Sequence, residues 1–553
     1  MCSRSMKIKL VIVTLTVMIL TQSACKSGDG NNQVVIPQVT SAPTVDAFTD
    51  TELRGELLLP IPENADRKNP YSVTTEEMRS MFSLVFEPLI SVDDTGKLIP
   101  ALAQSWVRTE GYDSTWTLSL RQNVTWHNGA AFTASDVTYS FNYIKNYLSS
   151  ENASTYYKEM LLGVESMSVV DDMTVKVKMS QSGYSALYGL NFPIIQNKNS
   201  PSASTENPVD HAVGTGAYKV DTDMQDSVTL SVNQNWWRTL PRIKTIKFME
   251  KLNNDTALAS YEAGQLNFVP TSNLSAGKYR KEGETIVLDV MTQDVEILLF
   301  NYDNPLLYDM NIRKAIAHSI DRSKLITNVY MNRAQACDVP VAPDSWLYSS
   351  KSKTVEFNTE YACTLLENAG YKDSDGDGIR EKDGNPSNTL TFRLLVNAST
   401  DNTARKNAAD TICAQLKECG IAVQVIAKEY SLTQSESEYI NALKNGDFDL
   451  ALTGVSLPQS GDLTEFFKAD GSLNFGGITD ETLVASVSGI LSAHDESTMR
   501  DNAAVFQTAF VEKLPFLVLY FRLNSIVYTN DLQGLTSVRE PNIMYSVDSW
   551  YVS

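Results

Sequence analysis

An uncharged, largely apolar run of eleven residues, Leu10–Leu20, follows Arg4, Lys7 and Lys9 and leads into Ser23-Ala24-Cys25. At ~1.5 Å per helical residue, such a run falls well short of a ~30 Å hydrocarbon core. The order basic, short apolar, small therefore reads as an export signal over residues 1–25, with Met6 as an alternative start. No later stretch approaches the ~18 apolar residues a membrane helix needs, so the rest of the chain is expected to fold outside the membrane. At 553 residues it is too long for one ordinary core, and two or more domains are expected.

The charge balance narrows the partners. With 66 acidic against 46 basic residues the formal charge is -20, which argues against nucleic acid and against adhesion of the folded body to anionic lipid. An acidic surface of this kind keeps an exported protein soluble. Hydrophobic residues make up 42% of the chain, enough for a packed interior to offset ordering entropy.

Residues 26–50 are rich in Gly, Asn, Ser, Thr and Pro without apolar periodicity and read as a flexible tether. Its r.m.s. reach is roughly 25–30 Å. The body beyond it alternates strands and helices. Trp116–Leu120, Val228–Val232 and Ile243–Phe248 alternate apolar and polar residues, as half-buried strands do. Thr133 and Asp136 cap a helix that places Val137, Phe141 and Ile144 on one face. Ile312, Ala315, Ile316 and Ile320 form a second apolar stripe, and Asp321 starts a further helix. Leu390–Val396 and Ile421–Ala427 flank a helix ending at Gly420, a β-α-β unit. The fold class is α/β, with two lobes expected.

Catalytic machinery is hard to find. His127, His211, His318 and His494 are scattered, with no helical His-x-x-x-His pair to hold zinc. Gly454-Val455-Ser456-Leu457-Pro458 lacks the second glycine of a nucleophile elbow, and Gly214-Thr215-Gly216 lacks the spacing of a phosphate loop. Asp447 and Asp449 form an acidic pair of a kind common on solvated surfaces. Asp373-Ser374-Asp375-Gly376-Asp377-Gly378 matches the first half of a calcium loop, but Gly384 stands where its twelfth-position Glu belongs. It is read as a polar turn. No enzyme activity, metal or cofactor is expected. Beyond Cys2 and Cys25, the cysteines Cys337, Cys363, Cys413 and Cys419 allow three pairings or remain buried thiols. Cys413 and Cys419, six apart on one helix, face different sides.

Two resemblances sharpen this reading. Ser23-Ala24-Cys25 followed by Lys26-Ser27-Gly28 resembles the processing site of bacterial lipoproteins, although Gln22 replaces the usual leucine. It implies lipidation of Cys25 and a lipid anchor on the outer face of the cell membrane, or a periplasmic location; the alternative is an ordinary cleaved leader. Six stretches then fall in register. They are Val85–Leu89 with Gly96–Trp106, Trp116–Arg121, Trp126–Gly129 and Phe132–Val137; Val213–Lys219 with Asn233–Trp237; Leu299–Asn301 with Ile312–Ala315 and Ser319–Arg322; Leu365–Tyr371 with the Asp-Gly-Asp-Gly turn after it; Gly446–Leu450; and Leu514-Pro515 leading to Tyr520. Together they resemble the peptide-binding (family 5) solute-binding proteins of ABC importers, the oligopeptide- and dipeptide-binding group.

The resemblance implies a two-lobed periplasmic-binding-protein-like clamp of the large class, with an extra N-terminal subdomain. Lobe I would take residues 51–298 (subdomain roughly 80–205) and lobe II residues 299–518, with 519–553 returning to lobe I. The crossings would lie near Val295–Asn301 and Leu517–Tyr520. It implies a monomer that carries a peptide or other small solute to ABC importer permease subunits. A surface signal receptor, or a binder of a non-peptide solute such as an oligosaccharide, remains the alternative. Ligand contacts are implied at Thr74, Thr75, Tyr156, Tyr157, Gly454, Val455, Ser456 and Tyr520. Relatives that bind peptides usually carry Trp and Asp just beyond the glycine, where this chain has Val455 and Pro458; Asp462 is then the nearest acid for a ligand ammonium.

Overall fold

Two long strands, Thr285–Phe300 and Phe516–Thr529, run antiparallel from Thr285 opposite Thr529 to Leu299 opposite Phe516. The pairing is offset twice, between Met291 and Val295 and between Glu296 and Ile297, so the ribbon bends near its middle. These strands form the spine of a seven-stranded sheet in the computed structural model. That model describes residues 53–109, 114–149, 155–198, 212–351, 355–399, 403–430 and 437–553. The export signal, Cys25, the tether and His211 lie outside the described residues.

The β-α-β unit expected from the sequence is present on one side of the spine. Strands Thr391–Asn397 and Ala422–Lys428 pair in parallel, joined by helix Thr403–Glu418. Gly420 closes that helix at φ +80°. Strand Leu450–Ser456 lies between Thr391–Asn397 and the spine. Helices Met310–Ser319 and Thr359–Asn368 cover this part of the sheet, burying Ile312, Ala315, Ile316, Leu365 and Leu366 with Leu394, Leu450 and Leu517.

Toward the N-terminal half are two four-stranded sheets. One orders Arg54–Pro62, Ile243–Lys251, Ser227–Val232 and Tyr218–Asp223. The other orders Ala103–Arg108, Thr115–Leu120, Thr174–Met179 and Val164–Asp171. Helix Ala134–Tyr147 packs beside the latter, its start fixed by Asp136 Oδ2 accepting the Thr133 amide at 2.9 Å. Gly214 and Gly216 let the chain pass under helix Glu76–Val85, since a Cβ there would come within 1.8 Å and 2.3 Å of the carbonyls of Val85 and Leu84. The architecture is a two-lobed α/β clamp, with the two long strands side by side in its largest sheet.

Residues 96–188 and Arg539 bond to residues 344–496. The Tyr184 amide donates to Ala493 O at 2.7 Å, and the Ser185 hydroxyl to Leu491 O at 3.3 Å. The Trp346 indole donates to the Tyr188 hydroxyl at 3.0 Å, which in turn donates to Gly96 O at 2.6 Å. Lys97 pairs with Glu496 at 2.8 Å, and Arg539 with Asp344 at 3.3 Å.

Cys337, Cys363, Cys413 and Cys419 are all free thiols. Asp449 accepts from Asn304 at 3.1 Å and from Arg393 at 3.2 Å, so this member of the acidic pair ties strand Thr391–Asn397 to the turn at Asn304.

Candidate ligand-binding site

Strand Thr285–Phe300 is apolar over Val295–Phe300, except at Glu296, which is only 2% exposed. A carboxylate there needs a partner, because burial of an unpaired charge is costly. Arg405, in the first turn of helix Thr403–Glu418, supplies it with two bonds, Nε to Oε2 at 2.9 Å and Nη2 to Oε1 at 2.7 Å. Burial works against the Arg405 charge, yet the Glu296 carboxylate outweighs it and leaves the arginine's pKa raised.

Register places Gly454 opposite Glu296 on one neighbouring strand and Tyr520 opposite it on the other. A Cβ at Gly454 would stand 2.4 Å from Arg405 Nη2 and 2.9 Å from Glu296 Oε1, so glycine leaves the space the ion pair occupies. Tyr520 is fully buried and packs on Tyr330 with ring centroids 4.7 Å apart. It stands behind the pair rather than on an open surface. Val455 is half-buried opposite Val295, and Ser456 is exposed opposite Asp294.

Asp294 leads to the second half of the site. Glu540, 7% exposed, accepts from the Asn524 amide at 2.6 Å. Burial raises its pKa well above the usual Glu range; the adjoining Glu76 carboxyl, and further off Asp294, push the same way. Glu76 opens helix Glu76–Val85, which Thr75 caps by accepting the Met78 amide at 3.4 Å. Thr74, next to it, is exposed. Arg79, one turn on, pairs with Glu76 at 3.0 Å and lies over the Tyr156 ring at 4.1 Å. Tyr156 meets Tyr157 edge-on at 5.0 Å, and Tyr157 meets Tyr71 in the same way at 6.2 Å. Arg79, Tyr156, Tyr157, Phe192, Pro541 and Tyr545 line a cavity of about 130 Å³. That is side-chain sized, below the ~300–1,000 Å³ of pockets that enclose whole small ligands.

Thr75, Tyr156, Gly454 and Ser456, picked from the sequence, thus fall beside two groups of charged residues, one running from Tyr156 through Arg79 and Glu76 to Glu540, the other formed by Glu296 and Arg405. Asp462 is half-buried, and its Oδ1 accepts the Thr464 amide at 3.0 Å just ahead of the short helix Thr464–Phe467. Sequence reasoning missed Glu76, Asp294, Glu296, Arg405 and Glu540. A signal existed for Glu296, a lone acid inside Val295–Phe300. Glu540 had none, because its neighbours are brought to it by tertiary structure.

Other buried acids serve the scaffold. Glu87 accepts from the Trp236 indole at 3.2 Å and from the Trp237 indole at 3.1 and 3.0 Å. Asp136 caps its helix as described above. Among the described residues no helix is long and apolar enough to cross a membrane.

Comparison with known proteins agrees with this architecture. Residues 97–472 match the family model described as Bacterial extracellular solute-binding proteins, family 5 Middle. The oligopeptide-binding protein AppA of Bacillus subtilis (strain 168) is 25% identical over 498 residues, covering 87% of this chain and 88% of its own. The nickel-binding periplasmic protein of Escherichia coli (strain K12) is 24% identical, covering 79% and 83%. Among solved structures, HbpA2 from Haemophilus parasuis superimposes with a TM-score of 0.76 at 19% identity, over 90% of this chain and all of that one.

Proposed function

We propose that this chain, which belongs to the bacterial extracellular solute-binding proteins of family 5, captures a peptide or peptide-like solute between its lobes. It hands the solute to the permease subunits of an ABC importer and does no covalent chemistry on it. It works as a monomer, lipidated at Cys25 and held to the outer face of the membrane by the tether. Lobe I comprises residues 51–298 and 519–553, lobe II residues 299–518, and the side contacts between Tyr184 and Ala493 and between Lys97 and Glu496 belong to the closed clamp.

One observation carries the ligand class. Glu540 is buried and bonded to Asn524, and the carboxyls of Glu76, which follows Thr75, and of Asp294, which pairs with Ser456, act on it. Crowded carboxylates of this kind favour a ligand ammonium, which would pair with Glu540 and relieve the repulsion. The oligopeptide-binding relative supports the same class. Asp462, the acid nearest in sequence, is the competing amine contact.

Calorimetric titration with a pool of free-amine peptides and its N-acetylated counterpart tests this on wild type, Glu540→Gln and Asp462→Asn. The expected result is preference for the free amine, lost in Glu540→Gln and kept in Asp462→Asn. Loss in Asp462→Asn alone would move the contact to Asp462, and equal binding of both pools would remove the ammonium altogether. For the anchor, Cys25→Ser is expected to release the protein from the membrane fraction. Retention there would contradict lipidation.

A further inference from the structure

The acidic turn that the sequence reads as polar has a feature only the fold reveals. Strands Tyr371–Lys372 and Glu381–Lys382 pair as a hairpin, and the turn between them brings carboxylate oxygens of Asp373, Asp375, Asp377 and Glu381 within 4.8 Å of one another. The three aspartates are exposed, whereas Glu381 is 1% exposed. Its Oε2 accepts the Ser374 amide at 2.9 Å, but its Oε1 is buried with no hydrogen-bond partner. An orphaned carboxylate oxygen in such a place costs free energy unless a cation meets it.

The adjacent guanidinium does not. Arg380 donates to Cys419 O at 2.9 Å and Tyr371 O at 3.1 Å, and pairs with Glu367 at 3.6 Å. Counting Asp373 as the first position, the acids occupy the first, third, fifth and ninth places of a calcium loop. Gly378 takes the sixth at φ +86°, where the backbone must turn sharply. The twelfth-position Glu is missing, but the buried Glu381 reaches the cluster from the ninth.

We propose that Asp373, Asp375, Asp377 and Glu381 form a Ca²⁺ site. All four donors are carboxylate oxygens, with no imidazole or thiolate, which suits a hard cation. Calcium takes about six to eight oxygens, so water and turn carbonyls complete the shell. The looser geometry and dehydration favour Ca²⁺ over Mg²⁺. The ion ties down the corner where the Arg380 amide meets Gly420 O at 2.9 Å and the Leu390 amide meets Arg380 O at 2.8 Å. With four anionic ligands and no bidentate twelfth residue, the affinity belongs to the range of extracellular modules, about 10⁻⁴–10⁻³ M.

The test uses the full chain in mild detergent, stripped with EGTA, dialysed, and titrated with CaCl₂ or MgCl₂ by calorimetry and by thermal melting. One Ca²⁺ per chain is expected, with Mg²⁺ about tenfold weaker or worse and a Tm that rises with calcium. Asp375→Asn and Asp377→Asn are exposed changes that are expected to fold normally. Each should weaken Ca²⁺ about tenfold while leaving the calcium-free Tm unchanged. Glu381→Gln should weaken it at least as much; if that variant does not fold, the two exposed variants decide. No saturable binding up to about 10 mM, equal affinity for Mg²⁺, or calcium binding unchanged in both aspartate variants would overturn the site.

Discussion

Arg405 meets Glu296 with two parallel hydrogen bonds of 2.9 and 2.7 Å across the face of Gly454, joining helix Thr403–Glu418 to strand Thr285–Phe300. Planar, two-point pairing of this kind fixes angle as well as distance. It sits where Gly454, near the exposed end of strand Leu450–Ser456, pairs with Glu296.

Removing one partner of this pair is expected to be far worse than removing both. Arg405→Ala leaves Glu296 buried and alone, which should lower stability by about 3–5 kcal/mol in urea unfolding. The double variant Glu296→Leu, Arg405→Met should recover most of that loss, because an apolar pair of similar volume needs no desolvated charge. Equal losses in the single and double variants would contradict the pairing argument.

Gly454→Ala should act through the same pair. Its Cβ would stand 2.4 Å from Arg405 Nη2, so the guanidinium must withdraw from one of its two bonds. The expected cost is about 1–3 kcal/mol, read by urea unfolding, and it should vanish in the Glu296→Leu, Arg405→Met background.

The two observations differ in how far the sequence could have foretold them. The alternation and capping signals of the strands and helices, and the β-α-β unit around Gly420, are local and were legible. Glu296 was half-legible: an acid within Val295–Phe300 demands a buried cation, but nothing in the sequence names Arg405, 109 positions away. Glu540 and Glu76 meet only because the C-terminal segment returns to the start of helix Glu76–Val85. Glu381 was visible as a residue but not as a buried member of the acidic cluster, since that depends on the hairpin pairing with Tyr371–Lys372 and on the bridge to Thr389.

Stability should fall as pH rises through the raised pKa of Glu540. A carboxyl whose folded pKa lies above its unfolded value stabilises the fold fully below the unfolded value, near ~4.3, and that contribution is lost as pH climbs through the folded value. Glu540→Gln keeps an acceptor for Asn524 and removes the titration, so its stability curve should be flatter over that window. Binding of a free-amine peptide should show the opposite slope. The ammonium needs Glu540 ionised, so affinity should increase with pH through the same window, then decline above the α-amino pKa near ~8. Identical pH profiles in wild type and Glu540→Gln would contradict this role.

Burial should make the thiols inert. It pushes the pKa of Cys337, Cys413 and Cys419 up to about 11 in each case. At pH 8 these three thiols are overwhelmingly protonated, and the thiolate is the form that reacts. Iodoacetamide at pH 8 should therefore label them slowly in the native protein and rapidly in urea, as mass spectrometry of the digested chain will report. Fast native labelling of Cys337 would contradict its burial.

Capture between two lobes predicts a change of size, because a two-lobed clamp closes by rigid-body rotation and the ligand favours the closed form. The measurement is small-angle X-ray scattering of the ligand-free chain and of the chain saturated with a binding peptide pool. A smaller radius of gyration at saturation is the expected result, and an unchanged radius with binding confirmed by calorimetry would contradict the clamp.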